Sequence, residues 1–170
     1  MIKIIKNILT NKERKQLIEY SKPLLLTGEE LNRHAVQEGL RQVKFPPSKQ
    51  TLSDLHRNDK FIPIIIKILN QIESETKLKV IPDKVWINWN SGKKEEQCWH
   101  THPSEYTIVY YIKTFPFFNN GTCFKDKFVR APQNSLIMFT GNMSHSVPSY
   151  PFYFERYTLA MNLNTDRCMG

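Results

Sequence analysis

The chain has 170 residues, of which 40% are hydrophobic and 24% are charged, and its formal net charge is +8. This length suits a single domain that buries roughly 70% of its unfolded surface, and the composition excludes a collagen-like, low-complexity or wholly disordered chain. No apolar run approaches the roughly 18 residues of a membrane-spanning helix. Residues 1–6 are too short and too charged for a signal peptide, so we expect a cytoplasmic protein without membrane contact.

The positive charge and the cysteines limit the partners that we expect. Lysines and arginines are scattered singly along the chain, which favours a solvated basic surface over a nucleic-acid partner. The three cysteines, Cys98, Cys123 and Cys168, are odd in number and lack CxxC spacing. We therefore expect reduced thiols rather than a disulfide framework.

The first half of the chain carries helix signals. Thr10 and Glu13 have the spacing of a capping box, so a helix should follow and end before Pro23. Residues 21–50 have a mixed pattern that is interrupted by Pro23, Gly28, Gly39, Pro46 and Pro47. A short helix is expected at 53–57 and a longer one at 61–75. The expected buried positions of these helices are Leu17, Ile18, Tyr20, Ile62, Ile65, Ile66, Leu69 and Ile72.

After Pro82 the hydrophobic period changes from that of a helix to that of a strand. Short strands separated by turns are expected at 85–90, 106–112, 121–124, 127–130, 135–139, 145–147 and 156–164. Such a series is typical of a β-sandwich or barrel. Without a linker in the sequence, we expect one domain over residues 1–170. A mostly helical flank, 1–84, would pack on an all-β core, 85–165.

Three histidines of the second half can meet at one metal ion. His100 and His102 are two residues apart, so both side chains point to one side of an extended chain. His145 lies 43 residues beyond His102, between a turn and a short strand. A histidine pair with a distant third ligand, and with coordination positions left open, is typical of a mononuclear non-haem iron site.

Arg156 and Thr158 are a candidate anion site. They share one face of the last expected strand. The residues on its other face, Tyr157, Leu159 and Met161, are apolar. An arginine that is buried there needs an anionic partner, and its planar guanidinium matches a carboxylate. A surface arginine paired with Glu155 is the alternative.

In chain order, the segments Trp86-Ile-Asn-Trp-Asn90, Trp99-His-Thr-His-Pro103, Ser144-His-Ser-Val-Pro148 and Arg156-Tyr-Thr158 carry a family resemblance. The region 86–164 resembles the iron(II)- and 2-oxoglutarate-dependent oxygenases. It is most similar to the small prolyl-hydroxylase-like members and to oxygenases of phages and marine bacteria. The resemblance implies a mainly β, α+β fold: a double-stranded β-helix, or jelly roll, with N-terminal flanking helices.

The resemblance also implies cofactors and residue roles. Iron(II), 2-oxoglutarate as cosubstrate and O2 would be used, with His100 and His145 as metal ligands. Arg156 would bind the distal carboxylate of 2-oxoglutarate, helped by Thr158. Further expected contacts of the cosubstrate are one of Asn88 and Asn90 and one of Tyr110 and Tyr111, since neighbouring positions face opposite sides of a sheet.

The third metal ligand departs from the family pattern. The family usually has an aspartate or glutamate two residues after the first histidine, and this chain has His102 there. Three alternatives stay open: His102 is the third ligand, Glu105 takes that place, or the position is left open. We favour His102, which gives a three-histidine site.

The function implied by the resemblance is hydroxylation of an unidentified small-molecule or peptide substrate, with release of succinate and CO2. A peptidyl or free amino acid is favoured as the substrate by analogy with the prolyl-hydroxylase-like members of the family. The alternatives are a three-histidine iron dioxygenase that uses no keto acid and a jelly-roll binding protein without activity. The sequence does not determine the oligomeric state.

Overall fold

The computed structural model describes residues 1–38, 48–90, 99–115, 120–148 and 154–166. Cys98 and Cys168 lie outside these residues, and Cys123 is not in a disulfide. Among the described residues, no helix has the length and apolarity needed to cross a membrane.

Three α-helices and nine strands are formed by the described residues. The helices are α1 (Asn11–Ser21), α2 (Gly28–Gln37) and α3 (Ile62–Thr76), with 3-10 turns at Lys22–Leu24 and Leu55–Arg57. The strands are β1 (Ile2–Lys6), β2 (Lys49–Gln50), β3 (Val80–Asn90), β4 (Tyr106–Lys113), β5 (Gly121–Phe124), β6 (Lys127–Arg130), β7 (Ser135–Thr140), β8 (His145–Ser146) and β9 (Arg156–Thr165).

The strands form two antiparallel sheets. The large sheet has the order β1-β7-β4-β9-β3-β2, and the small sheet has the order β6-β5-β8. Neighbouring strands of the large sheet are distant in sequence, as β3 and β9 are. This crossing of connections between two sheets is the jelly-roll, double-stranded β-helix arrangement that the sequence predicted.

The two faces of the large sheet have different partners, because side chains alternate along each strand. One face packs on helices α1 and α3 through an apolar cluster that includes Leu17, Ile68, Ile87, Ile108 and Leu159. The opposite face, called here the inner face, is turned toward the small sheet. Its members are Lys84, Trp86, Asn88 and Asn90 of β3, Thr107, Val109 and Tyr111 of β4, Ile137 and Phe139 of β7, and Arg156, Thr158, Ala160 and Asn162 of β9.

The sequence predicted the seven later strands within a few residues, and the Thr10 capping box starts α1 as expected. Helix α2 was not predicted within the mixed region 21–50, and it begins with a second capping box between Thr27 and Glu30. Strand β1 was not expected. It adds an edge strand beside β7.

The buried face of α3 differs from the prediction. Ile64 and Ile68 are buried with Ile65 and Ile72, whereas Ile66 is 50% exposed. Two overlapping stripes of this helix are apolar, and both have helical spacing. Only the position of the sheet determines which stripe is covered.

Glu13 joins the capping box of α1 to helix α3. Its carboxylate accepts hydrogen bonds from Lys67 at 2.7 Å and from the Thr10 hydroxyl and backbone N–H, each at 2.7 Å. These bonds, first that from Lys67, lower the pKa of Glu13 from 4.5 to about 2. A lowered folded-state pKa means that the stabilisation is complete above about pH 5 and is lost as the pH falls toward 2.

We expect Glu13→Ala to lower the free energy of unfolding by about 1 kcal/mol at pH 7, because a cap and an ion pair are removed together. Urea denaturation at pH 7 and pH 3 measures this difference, which should shrink at the lower pH. Glu13→Gln is the matched control, since its amide can still cap α1 and cannot ionise. An equal loss for both variants at both pH values would contradict this account.

Candidate metal and cosubstrate site

His100, His102 and His145 meet on the side of the large sheet that faces β8. Their ligand nitrogens all lie within 4.8 Å of one another. His100 and His145 form an antiparallel bridge, with N–H···O bonds of 3.1 and 3.0 Å in the two directions. The backbone N–H of His102 donates to Gly141 at 2.8 Å. Backbone hydrogen bonds therefore hold all three histidines in place.

Neighbouring groups orient the rings. Nδ1 of His145 lies 3.0 Å from the carbonyl oxygen of Met143, and this bond favours the tautomer that leaves Nε2 as a ligand. The His145 ring packs edge-on against Phe139 at 4.7 Å between centroids. The His102 ring lies 5.6 Å from that of Trp86. The cluster is thus in contact with the inner face.

Burial keeps the imidazoles of His102 and His145 neutral. Burial, followed by the charges of His100, His145 and Lys84, lowers the pKa of His102 from 6.5 to about 3. Burial also lowers the pKa of His145 to about 4. A neutral imidazole has the lone pair that a metal ion requires, so both rings are in the ligand form at neutral pH.

Glu105, the alternative third ligand, points elsewhere. Its carboxylate accepts hydrogen bonds from the hydroxyl and the backbone N–H of Thr165, the latter at 3.3 Å. Its own N–H donates to Asn164 at 3.2 Å. Glu105 is therefore held at the end of β9, and the structure brings His102 to the other two histidines.

Gly141 supports the turn that contains His102. A β-carbon at this position would lie 2.1 Å from the Ser104 carbonyl oxygen and 2.8 Å from that of His102. We expect Gly141→Ala to displace this turn, to lower the free energy of unfolding by about 1–3 kcal/mol and to weaken metal binding. Urea denaturation and zinc titration measure the two effects. Gly28→Ala, in the first turn of α2, should leave zinc affinity unchanged, and equal zinc affinity in both variants would refute the expectation.

Arg156 is a buried cation that has no hydrogen-bond acceptor in the part of the chain that the structure describes. Its side chain is 1% exposed, and Nε and both terminal nitrogens have no hydrogen-bond acceptor among the described residues. Its Cζ lies 5.2 Å from the centre of the Tyr111 ring. Glu155, the alternative partner, instead pairs with Lys113 at 2.6 Å. The surface ion pair is thereby excluded, and the guanidinium is available to an anionic ligand.

Polar groups surround this arginine on the inner face. Asn90 lies opposite Arg156 in the register of β3 and β9, and both atoms of its amide are buried without a partner among the described residues. Thr158 lies between Asn88 and Tyr111. The Tyr111 hydroxyl is 2.6 Å from that of Thr122 on the small sheet, a contact that the sequence analysis missed.

Both asparagines but only one tyrosine of the expected cosubstrate contacts lie on the inner face. Asn88 and Asn90 are two residues apart, so both belong to the inner face. The expectation that only one of them faces the site was therefore wrong. The adjacent residues Tyr110 and Tyr111 do face opposite sides of the sheet. Tyr110 packs in the apolar cluster against the helices and donates to Asn134 at 2.8 Å. Tyr111 lies beside Arg156, so Tyr110 is not at the site.

The region of the inner face between the histidine cluster and Arg156 is called here the enclosure. Tyr111, beneath the guanidinium, packs with Phe124 and Phe139, which in turn contact the His145 ring. On the other side, β3 carries Trp86 at His102 and Asn90 at Arg156. Three imidazoles with open positions suit a divalent transition metal, and a buried guanidinium without an acceptor among the described residues suits a carboxylate. The residues present fit iron(II) and a dianionic keto acid.

Comparison with known proteins supports the same fold. Neither a family model nor a curated protein sequence matches this chain. A viral collagen prolyl hydroxylase from Paramecium bursaria Chlorella virus-1, solved with 2OG, matches with a TM-score of 0.62 and 16% identity over 95% of this chain and 94% of the other. A Trichoplax adhaerens prolyl hydroxylase in complex with a hypoxia-inducible-factor peptide gives 0.64 and 15% over 95% and 82%.

HygX from Streptomyces hygroscopicus, solved with nickel, 2-oxoglutarate and hygromycin B, gives a TM-score of 0.67 at 8% identity, over 95% of this chain and 82% of the other. These similarities extend over nearly the whole chain, including the helical half. The chain therefore has the double-stranded β-helix fold of the 2-oxoglutarate-dependent oxygenases, as the sequence predicted.

Proposed function

We propose that this protein is an iron(II)- and 2-oxoglutarate-dependent oxygenase that hydroxylates its substrate and releases succinate and CO2. The guanidinium of Arg156 carries the proposal: it is buried, it has no acceptor among the residues 1–38, 48–90, 99–115, 120–148 and 154–166, and it lies on the inner face that also contacts the three-histidine cluster. A buried charge without a partner is costly, so a site of this kind is built for a ligand.

In this proposal, His100, His102 and His145 hold iron(II). The metal, when bound, supplies the redox chemistry that couples O2 to oxidation of the keto acid and of the substrate. The carbonyl of Met143 orients the His145 ring, and the Gly141 carbonyl fixes the turn of His102.

Arg156 binds the distal carboxylate of 2-oxoglutarate through two parallel hydrogen bonds. Asn90 and Thr158 are beside the guanidinium and add donors, and Asn88 is the next inner-face residue toward Trp86. The Tyr111 ring holds the guanidinium from below, because its hydroxyl is fixed by Thr122. These residues orient the acid along the inner face toward the histidines.

Aromatic residues exclude water from the enclosure. Phe124 and Phe139 pack between Tyr111 and His145, and Trp86 covers His102. Water exclusion strengthens the interaction of Arg156 with a carboxylate and protects reactive species from side reactions. We propose a peptide or free amino acid as the substrate, by analogy with the similar prolyl hydroxylases, of which one was solved with a peptide.

The second candidate function is an iron dioxygenase that uses no keto acid. The observation that favours it is the three-histidine ligand set, which has no carboxylate. In that case Arg156 binds a carboxylate of the substrate itself.

The visible charge-transfer band of an iron–keto acid complex distinguishes these functions. We expect the band when Fe(II) and 2-oxoglutarate are added to anaerobically purified protein, and we expect it to be absent in Arg156→Ala. Stoichiometric iron without the band would favour the second candidate. Absence of iron binding would refute both and leave a jelly-roll binding protein.

A further inference from the structure

The inner face contains cations and neutral groups but no carboxylate. Its polar members are Lys84, Asn88, Asn90, Thr107, Tyr111, Arg156, Thr158 and Asn162. Glu105 precedes β4, but its carboxylate is bound to Thr165 at the end of β9. Among the described residues, the inner-face positions named above therefore include two cations, Lys84 and Arg156, and no carboxylate.

The charges of the metal, the cosubstrate and Arg156 do not cancel in the proposed enzyme. Iron(II) and Arg156 together bring three positive charges, and 2-oxoglutarate brings two negative charges. A carboxylate ligand to the metal would cancel the remaining positive charge, but His102 is neutral and does not. A net charge left in a low-dielectric enclosure is unfavourable, so a further anion is stabilised there.

Lys84 indicates where that anion binds. It is exposed, it is two residues from Trp86 on the same face of β3, and it makes no ion pair with the described residues. The same cross-strand row contains Asn162, Thr107 and Phe139, and Phe139 packs on His145. The histidine cluster is thus beside the Lys84 end of the inner face.

Arg156 is at the other end of that face. Lys84 and Asn90 are six positions apart on β3, which is roughly 20 Å of strand, so one small acid does not occupy both ends. Asn162 lies between Lys84 and Thr107, is buried, and has its side-chain oxygen without a partner among the described residues. This oxygen can accept a hydrogen bond from an N–H or O–H group of a ligand.

We propose that the substrate of this protein carries an anionic group, a carboxylate or a phosphate, that binds between the three-histidine centre and Lys84. A neighbouring N–H or O–H of the substrate donates to Asn162. The inference rests on the proposed function and adds the chemical class of the substrate. It depends on His102 being a neutral ligand and on Lys84 being a second, separate cation.

Anion binding to the cobalt(II)-loaded protein tests the inference without turnover. Azide, acetate and inorganic phosphate are titrated in the presence of saturating 2-oxoglutarate, and the visible spectrum of cobalt(II) reports binding. We expect His102→Asp to weaken anion binding by about tenfold or more, because the new carboxylate cancels one charge at the centre. Lys84→Met should weaken it severalfold, and Lys12→Met, on α1 behind the large sheet, should have no effect.

The possible outcomes separate the two proposals. Failure of the wild-type protein to bind cobalt(II) refutes the proposed function. If cobalt(II) binds and the anion affinity is equal in the wild type, His102→Asp and Lys84→Met, the anionic substrate is ruled out and the proposed function stands. If His102→Asp does not fold, the anion affinities of Lys84→Met and of the control Lys12→Met still test the inference, and equal affinities overturn it.

A turnover experiment addresses the substrate directly. Carboxylic acids and phosphate monoesters are compared with their neutral amide and alcohol counterparts as stimulators of 2-oxoglutarate consumption. We expect stimulation by acids only, and the class that stimulates distinguishes a carboxylate from a phosphate. Equal stimulation by the neutral counterparts would contradict an anionic substrate.

Discussion

Replacing Arg156 by methionine should make the ligand-free protein more stable and abolish its binding of 2-oxoglutarate. The guanidinium is 1% exposed and has no acceptor among the described residues. Methionine has similar length and no charge to desolvate, so the free energy of unfolding should rise by about 1–3 kcal/mol. Loss of two charge-assisted hydrogen bonds should weaken 2-oxoglutarate binding by about a hundredfold or more.

Two measurements on the same variant check this prediction. Urea denaturation of the metal-free protein reports stability, and anaerobic titration with Fe(II) and 2-oxoglutarate reports binding. Arg130→Met, an exposed arginine on β6, is the matched control and should change neither quantity. A less stable Arg156→Met protein would mean that the arginine already has an anionic partner in the ligand-free state.

His145→Ala should remove stoichiometric metal binding while the fold is retained. His145 is one of three ligands, and its substitution leaves only His100 and His102. The loss of affinity should exceed the roughly 10–100-fold that follows loss of an outer-shell partner. The backbone bridge between residues 100 and 145 does not need the imidazole, so the small sheet should keep its pairing.

Iron content after anaerobic reconstitution measures the effect of His145→Ala, and circular dichroism checks the fold. The matched control is His34→Ala, in the last turn of α2, which should bind iron as the wild type does. Wild-type iron content in His145→Ala would show that the metal binds elsewhere. Loss of iron in both variants would point to instability rather than to loss of a ligand.

The strand pattern was predictable because alternation of apolar and polar residues is a local property. The same local rule placed Arg156 and Thr158 on one face of β9, opposite an apolar face, but left open whether the arginine is buried or pairs with Glu155 at the surface. Helix α2 was predictable in principle from the Thr27 and Glu30 capping box, but proline and glycine in the same region obscured it. The buried stripe of α3 was not predictable, because both of its stripes are apolar.

The sequence by itself determined the strands of the second half and the start of α1, and it offered the histidines and Arg156 as candidates for binding a metal and a carboxylate. Only the tertiary structure decided that His102 rather than Glu105 joins the histidines, that Tyr111 rather than Tyr110 lies at Arg156, and that Glu155 pairs with Lys113. The physical reason is that these choices depend on contacts between strands that are far apart in sequence. Strand register and the packing of two sheets set those contacts, and no local pattern encodes them.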